Sequence, residues 1–259
     1  VSPFSERYGP WAVVAGASEG MGAEFARQLA ARGCRVVLVA RRPAALEEVA
    51  RGLPTEARVL PLDLASPDAP AALAAATADL DVGCVVLNAA FAAIGPFLEL
   101  PLEEAHRAID VNVRTPTAIA HHFAPRLAAR GRGGLVFLSS LTAFQGSPYI
   151  STYGATKSYA LSLAEGLWFE LGPRGVDVLG VCAGATATPN MLRASSVAPP
   201  GMQQPAEVVR EALDALGRGP MLIPGGFNRL ASFVMRRLLP RRATIAIMGR
   251  ETRKLQLPR

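Results

Sequence analysis

Cysteine is scarce in this chain, with three in 259 residues (Cys34, Cys84 and Cys182) and no C-x-x-C pair among them. An odd, sparse set excludes a disulfide scaffold and points to a reducing compartment. Each lies in or beside an apolar run, where a free thiol serves as a small buried hydrophobe. The three histidines, His106, His121 and His122, lack metal-ligand spacing, so no metal is expected. No run of 18 apolar residues occurs, which excludes a spanning helix of ordinary composition. The opening VSPFSERYG lacks a charged-then-apolar signal pattern, and the expected location is the cytoplasm. Charged residues are few, 19% against 50% hydrophobic, which excludes disorder and suits a large core. Lysine is scarcest among the charges, with two against 25 arginines.

The net charge of +6 is unevenly placed. Residues 229–259 hold nine basic residues (Arg229, Arg236, Arg237, Arg241, Arg242, Arg250, Arg253, Lys254, Arg259) and one acid, Glu251. That segment is therefore +8 and the preceding 228 residues are −2. A general nucleic-acid face on the body is disfavoured.

Short β-branched runs alternate with Ala/Leu-rich stretches. Strands are expected at 11–16, 35–40, 58–62, 82–88, 135–139, 176–182 and 221–224. Helices are expected at 21–32, 43–52, 67–78, about 102–130 with interruptions at Pro116 and Pro125, about 152–171, and 205–217. Continuous Val/Leu strands are buried on both faces. The alternation predicts one α/β domain, a doubly wound, Rossmann-type parallel sheet of about seven strands with helices on both faces. No linker or repeat divides it. The expected organisation is a dinucleotide-binding and catalytic domain over 1–228 and a basic amphipathic extension over 229–259.

The turn Ala15-Gly16-Ala17-Ser18-Glu19-Gly20-Met21-Gly22 joins the first strand to the first helix. Three glycines in seven residues allow a tight turn and close backbone approach, and the helix N-terminus can face a pyrophosphate. Gly16, Ser18, Gly20, Met21 and Gly22 are the cofactor-loop candidates. The spacing G-x-x-x-G-x-G differs from the dinucleotide fingerprint G-x-G-x-x-G. The second strand ends Ala40-Arg41-Arg42 where a ribose-binding carboxylate would stand for NAD, and two guanidiniums suit a 2′-phosphate. NADP(H) is the expected cofactor, with Glu19 a counter-signal because it would repel that phosphate.

Tyr153 and Lys157 are four residues apart in a predicted helix and so share one face. An ammonium beside a phenol lowers its pKa from about 10 towards the operating pH, making an acid/base for a carbonyl or alcohol. Lysine here, in a chain that otherwise uses arginine, suggests that a compact ammonium is needed to bond a ribose hydroxyl.

Gly16/Gly20/Gly22, Asn88-Ala89-Ala90, Asn112, Ser139-Ser140 and Tyr153/Lys157, with Ser140 thirteen residues before Tyr153, together resemble the short-chain dehydrogenase/reductase pattern over about residues 11–188. The resemblance implies that Ser140 orients a substrate carbonyl and Tyr153 is the acid/base. It implies that Lys157 binds the nicotinamide ribose and tunes the tyrosine, and that Asn112 holds a water in a proton relay. By the same resemblance Asp63, in Leu62-Asp63-Leu64, contacts adenine, with Leu64 and Asn88 beside the cofactor. Thr186 and Thr188 contact the nicotinamide side, and the long helices form a homodimer or homotetramer. Three positions depart from the pattern: Ala15 for threonine, Ala90 for the last glycine of N-A-G, and Ala183 for the proline before Gly184.

The expected reaction interconverts a hydrophobic ketone and its secondary alcohol by hydride transfer. Segment 185–204 is long enough for a lid carrying Met191, Leu192 and Val197, and Phe91, Phe144 and Tyr149 follow strand ends on the ligand-binding edge. A non-catalytic NADP(H) sensor or scaffold is the rival, and a lyase or epimerase using the cofactor transiently is a third reading. An intact Ser140–Tyr153–Lys157 set speaks against a sensor. In the tail, Leu230, Phe233, Val234 and Leu238 are spaced for one helix face. The expectation is that this face docks beside the lid with the arginines outward. Contact with an anionic membrane surface, or with a phosphorylated acyl carrier or CoA, are the alternatives.

Overall fold

Val13 and Val14 stand on opposite faces of the first strand, and both are completely buried. The sheet is built from β1 (Trp11–Ala15), β2 (Arg35–Ala40), β3 (Ala57–Pro61), β4 (Val82–Leu87), β5 (Gly133–Ser140), β6 (Val176–Ala183) and β7 (Met221–Leu222), and the double burial is repeated in β2, β4, β5 and β6 but not in the edge strands β3 and β7. The computed structural model describes residues 2–194 and 198–254. The strand order is β3-β2-β1-β4-β5-β6-β7 and every pairing is parallel. One face, through Val14, Val36, Leu38 and Val86, packs on Phe25, Leu29, Leu46, Val209 and Leu213. These come from α2 (Gly20–Ala31), α3 (Pro43–Arg51) and α9 (Pro205–Ala215), α1 being Pro3–Tyr8. The other face, through Val13, Val37, Val85 and Phe137, packs on Leu73, Ile119, Phe123, Leu127 and Ala164. These come from α4 (Ala69–Ala76), α6 (Thr115–Arg130) and α7 (Ser151–Leu171). Each fully buried Phe or Leu contributes roughly 1.5–3 kcal/mol. The three cysteines are in this core, and burial holds their thiols above the ordinary range.

The strand order reverses between β1 and β4, opening a crevice at their carboxyl ends, where ligands bind in such sheets. The long helical region is two helices, α5 (Leu102–Ile109) and α6, joined by a π turn at Asp110–Arg114. Pro116 is the second residue of α6, directly after the π turn, and Pro125 lies inside the helix without ending it. The expected interruptions are thus replaced by one centred on Asn112.

The tail contributes α10 (Gly226–Arg237) and α11 (Arg241–Thr252), preceded in the chain by the short α8 (Pro189–Ala194). A boundary between 228 and 229 falls inside α10. Asn228 is buried there and donates to the Gly201 carbonyl (3.2 Å) and to Gln203 Oε1 (3.0 Å), tying the helix to the catalytic body. No helix among the described residues is long and apolar enough to cross a membrane.

Candidate active site

The turn after β1 is built for close approach. Gly16 has φ +87°, and a Cβ there would sit 2.7 Å from the Ala89 backbone. A Cβ on Gly22 would lie 1.8 Å from the Gly16 carbonyl oxygen, so the helix start can fold onto the loop only without a side chain. Asn88 Nδ2 donates to that same carbonyl at 2.9 Å. The Asn88 and Ala89 N–H groups both donate to the Ala15 carbonyl, at 3.2 and 2.8 Å. Replacement of threonine by Ala15 therefore leaves the tie to β4 intact, carried by backbone and by Asn88. Glu19 precedes α2 without capping it. The first-turn N–H groups and the positive dipole end are thus left to face a pyrophosphate. Ser18 and Met21 flank this turn, and a Cβ on Gly20 would meet the Thr188 side chain at 3.0 Å, so the segment after β6 closes over the loop. This glycine cradle and uncapped helix fit a dinucleotide.

Arg41 and Arg42 are exposed at the carboxyl end of β2. Arg42 pairs with Glu19 at 2.8 Å and donates to Ser18 Oγ at 3.3 Å, while Arg193 of α8 approaches Glu19 at 3.5 Å. Glu19 is therefore bracketed by two guanidiniums, a relationship that sequence spacing does not show. Asp63 is exposed, accepts the Ala65 N–H at 3.0 Å and faces Arg107 at 3.6 Å. Leu64 is buried and its carbonyl accepts from Thr115 Oγ1 at 2.8 Å. Phe91, Ala65, Arg107 and Asp110 line an open cavity of about 500 Å³ on the α5 side of this end.

Ser140, Tyr153 and Lys157 are brought together where β5 ends against α7. Ser139 Oγ donates to the Lys157 carbonyl at 2.8 Å, and Lys157 Nζ donates to the Leu138 carbonyl at 2.6 Å. Both ends of the lysine are stitched to β5. Its ammonium lies 5.5 Å from the Tyr153 ring centroid. Ser140 Oγ accepts the Thr142 N–H at 3.2 Å, which caps the short turn Leu141–Phe144. Burial pushes the Tyr153 phenol up to about 12, and Ser140 pulls it down in part. Burial pushes Lys157 down to about 8. In the protein alone desolvation dominates the phenol, and the lysine is turned to the Leu138 carbonyl.

Asn112 is buried in the π turn. Its Oδ1 accepts the Phe91 N–H at 2.8 Å, and its Nδ2 donates to the Phe91 carbonyl (2.8 Å) and to Thr156 Oγ1 (2.9 Å). It locks the chain after β4 to α7 one residue before Lys157. Thr156 was missed in the sequence, although its place inside Tyr153–Lys157 was a signal. Thr186 is buried and donates to the Gly184 carbonyl at 3.1 Å. Thr188 Oγ1 accepts the Met191 N–H at 3.3 Å. Gln203, also missed, returns to this segment: its N–H donates to Ala185 at 3.0 Å and its carbonyl accepts from Ala187 at 2.9 Å. The two ends of segment 185–204 are thus paired with each other, with Leu192 exposed and Met191 half-buried, while Val197 lies outside the described residues.

The tail covers residues 144–149. Arg236 stacks 4.0 Å from the Phe144 ring centroid, Arg253 Nε donates to Tyr149 Oη at 3.0 Å, and Thr252 Oγ1 donates to the Pro148 carbonyl at 2.7 Å. The expected inward apolar face is overturned, while the arginines are exposed as expected. On α10 the buried residues are Asn228 and Ser232, whereas Leu230, Phe233 and Leu238 are exposed. Exposed Arg236 and Arg253 reach back along the surface to the aromatic rings of Phe144 and Tyr149. Of the nine basic residues in the tail, Arg259 lies outside the described residues.

Residues 10–197 match the family model described as short chain dehydrogenase. A 7beta-hydroxysteroid dehydrogenase of Clostridium sardiniense is 35% identical over 233 residues, covering 87% of this chain and 89% of that protein. A structure reported for 7beta-hydroxysteroid dehydrogenase stereoselectivity superposes with a TM-score of 0.89 at 32% identity, covering 95% of this chain and 98% of the other. A short-chain dehydrogenase from Sphingobium yanoikuyae in complex with NADPH gives 0.76 at 33% identity, over 83% and 87%.

Proposed function

This chain belongs to the short-chain dehydrogenase family of nicotinamide-dependent oxidoreductases, and from that premise we propose that it reduces a ketone on a bulky, apolar, steroid-like substrate to the secondary alcohol with NADPH. The observation that carries this reading is the convergence of Ser140, Tyr153 and Lys157 at the end of β5, beside the crevice between β1 and β4. A nicotinamide cofactor, when held there, would supply or accept the hydride. Tyr153 Oη gives its proton to the carbonyl oxygen in reduction and takes it back in oxidation. Ser140 orients that oxygen. Lys157 binds the nicotinamide ribose and brings a positive charge beside the phenol, which favours the phenolate in the oxidative direction. Asn112 positions α7 and the chain at Phe91, and holds the backbone that a relay water would use.

NADPH preference is supported by Arg41 and Arg42 at the end of β2, where no carboxylate stands to bind a free ribose hydroxyl. The adenosine end falls to Asp63 and Leu64, the phosphates to Gly16, Ser18, Gly20, Met21 and Gly22, and the nicotinamide side to Asn88, Thr186 and Thr188. A steroid-like substrate is supported by the hydroxysteroid relatives and by the Phe144–Tyr149 segment beneath the tail. Exposed Leu102, Ile109, Trp168 and Phe169 on α5 and α7 suit pairing of subunits into a dimer or tetramer. The free buried cysteines suit a cytoplasmic protein. The test is net NADPH oxidation with a panel of ring ketones, including 7-ketosteroids, beside 3-oxoacyl thioesters and small aliphatic ketones. Turnover of ring ketones above the other two classes is expected. Cofactor binding without turnover of any ketone would favour the sensor reading.

A further inference from the structure

The exposed face of α10 is not accounted for by the active site. Phe227 (57% exposed), Leu230 (65%), Phe233 (57%) and Leu238 (65%) stand on the outside of the tail. At about 100° per residue they lie within roughly 80° of Leu230 around the helix, together with Val234 and Arg237. The buried residues Asn228 and Ser232 lie roughly 160° from Leu230 on the opposite side. The helix therefore presents two functional faces: a polar one fastened to the body through Asn228, and an apolar one turned to the outside.

Charge decides what would cover that outer face. Residues 229–259 carry +8 on a body of −2. Within the tail, Glu251 is paired with Lys254 (2.7 Å), and Arg229 is paired with Glu211 of α9 (3.1 Å). Arg237, Arg242 and Arg250 are exposed and have no ion-pair partner among the described residues. A second copy apposed about a two-fold axis would bring Arg237 towards its own image, which opposes self-association. A helix with aromatic and leucine side chains on its outer face and uncompensated arginine within it suits the interface of an anionic bilayer. Arginine can keep its guanidinium at the headgroups while its stem follows the apolar face inward.

We propose that α10 docks this protein on the surface of anionic membranes, with Phe227, Leu230, Phe233 and Leu238 entering the interface and Arg237 at the headgroups. The geometry also sets where the active site would face. A Cβ on Gly201 would lie 2.3 Å from the Phe227 ring, so the apolar face begins at the segment 201–203 that closes onto Thr186. Docking would bring the substrate side of the molecule to the bilayer, where apolar ketones partition.

The experiment is co-sedimentation of the full chain with vesicles of phosphatidylcholine alone and of phosphatidylcholine with 30% phosphatidylserine. The wild type is compared with Leu230→Ser/Phe233→Ser and with Arg237→Glu. All three positions are exposed, and circular dichroism and NADPH reduction of a small ketone check that the variants fold. Binding to the anionic vesicles, weakened about tenfold or more by either variant and by high salt, is expected. Three results would overturn the proposal: no binding to anionic vesicles, equal binding by wild type and Leu230→Ser/Phe233→Ser, or binding to neutral vesicles unaffected by Arg237→Glu. If Leu230→Ser/Phe233→Ser instead converts an oligomer to a monomer in sedimentation velocity without any lipid effect, the face is covered by a second copy and the proposal fails.

Discussion

The Arg42 guanidinium lies 2.8 Å from the Glu19 carboxylate at the point where the loop after β1 meets the end of β2. The same carboxylate is approached by Arg193 from the segment after β6. Glu19 thus engages an arginine assigned to a 2′-phosphate and places a negative charge beside it. Glu19→Gln should raise affinity for NADPH by about three- to tenfold, the scale of about 1 kcal/mol for a partly exposed pair, with NADH little changed. Calorimetric titration with both cofactors checks this. A loss of NADPH affinity would mean that Glu19 holds Arg42 in place rather than competing for it.

The two arginines themselves should act in the opposite direction. Arg41→Ala/Arg42→Ala removes two charge-assisted contacts and should weaken NADPH binding by about 2–4 kcal/mol, with NADH affinity nearly unchanged. Equal affinity of the wild type for both cofactors would reject the assignment.

Tyr153→Phe keeps the ring and removes the proton. It should lower kcat by orders of magnitude while leaving cofactor affinity within about twofold. The phenol at about 12 in the protein alone also sets a direction for pH: oxidation, which needs the phenolate, should accelerate as pH rises, and reduction should slow. Near-normal turnover by Tyr153→Phe with any accepted ketone would sink the mechanism.

Much of this architecture is readable in the residues themselves. Buried strands declare themselves as unbroken Val/Leu runs, and the glycine turn and the Tyr153/Lys157 pair lie where local spacing already implies their neighbours. Other features depend on distant chain segments. Thr156 meets Asn112 only because a π turn swings that asparagine inward. Gln203 meets Thr186 only because the segment after β6 doubles back. Tail polarity was misread because helix periodicity identifies an apolar face without saying which face is buried. Phe144 and Tyr149 offered the tail aromatic surface that arginines cover well, and that pairing is invisible along the chain.

Asn112→Ala should unsettle both structure and catalysis. It strands the Phe91 N–H and one hydrogen bond of Thr156 in a buried turn, a loss of about 2–4 kcal/mol. Urea unfolding should show that loss, with kcat falling more than KM rises because α7 shifts beside Lys157. Full stability in the variant would remove Asn112 from its positioning role.

Lys157 gives a stability prediction with a defined sign. Its ordinary value is 10.5 and burial lowers it to about 8 in the folded protein. Between those values the unfolded chain binds more protons at this site, so its contribution to stability rises with pH. Below about pH 8 the penalty of burying the ammonium is fully present, on the order of 3 kcal/mol. Tyr153, raised from 10 to about 12, favours the unfolded state progressively above pH 10. In the window between about pH 8 and about pH 10 the three buried cysteines, whose thiols are raised from 9.0, lower stability in both proteins alike, so the lysine is read from the difference between wild type and variant. Urea unfolding of the cofactor-free protein should show wild-type stability gaining on Lys157→Met as pH rises through that window, with Tyr153 unchanged in both. The variant lacks the titrating ammonium and should not share the rise. A constant difference between the two proteins at about pH 7 and about pH 9.5 would show that Lys157 is not desolvated as its bond to the Leu138 carbonyl implies.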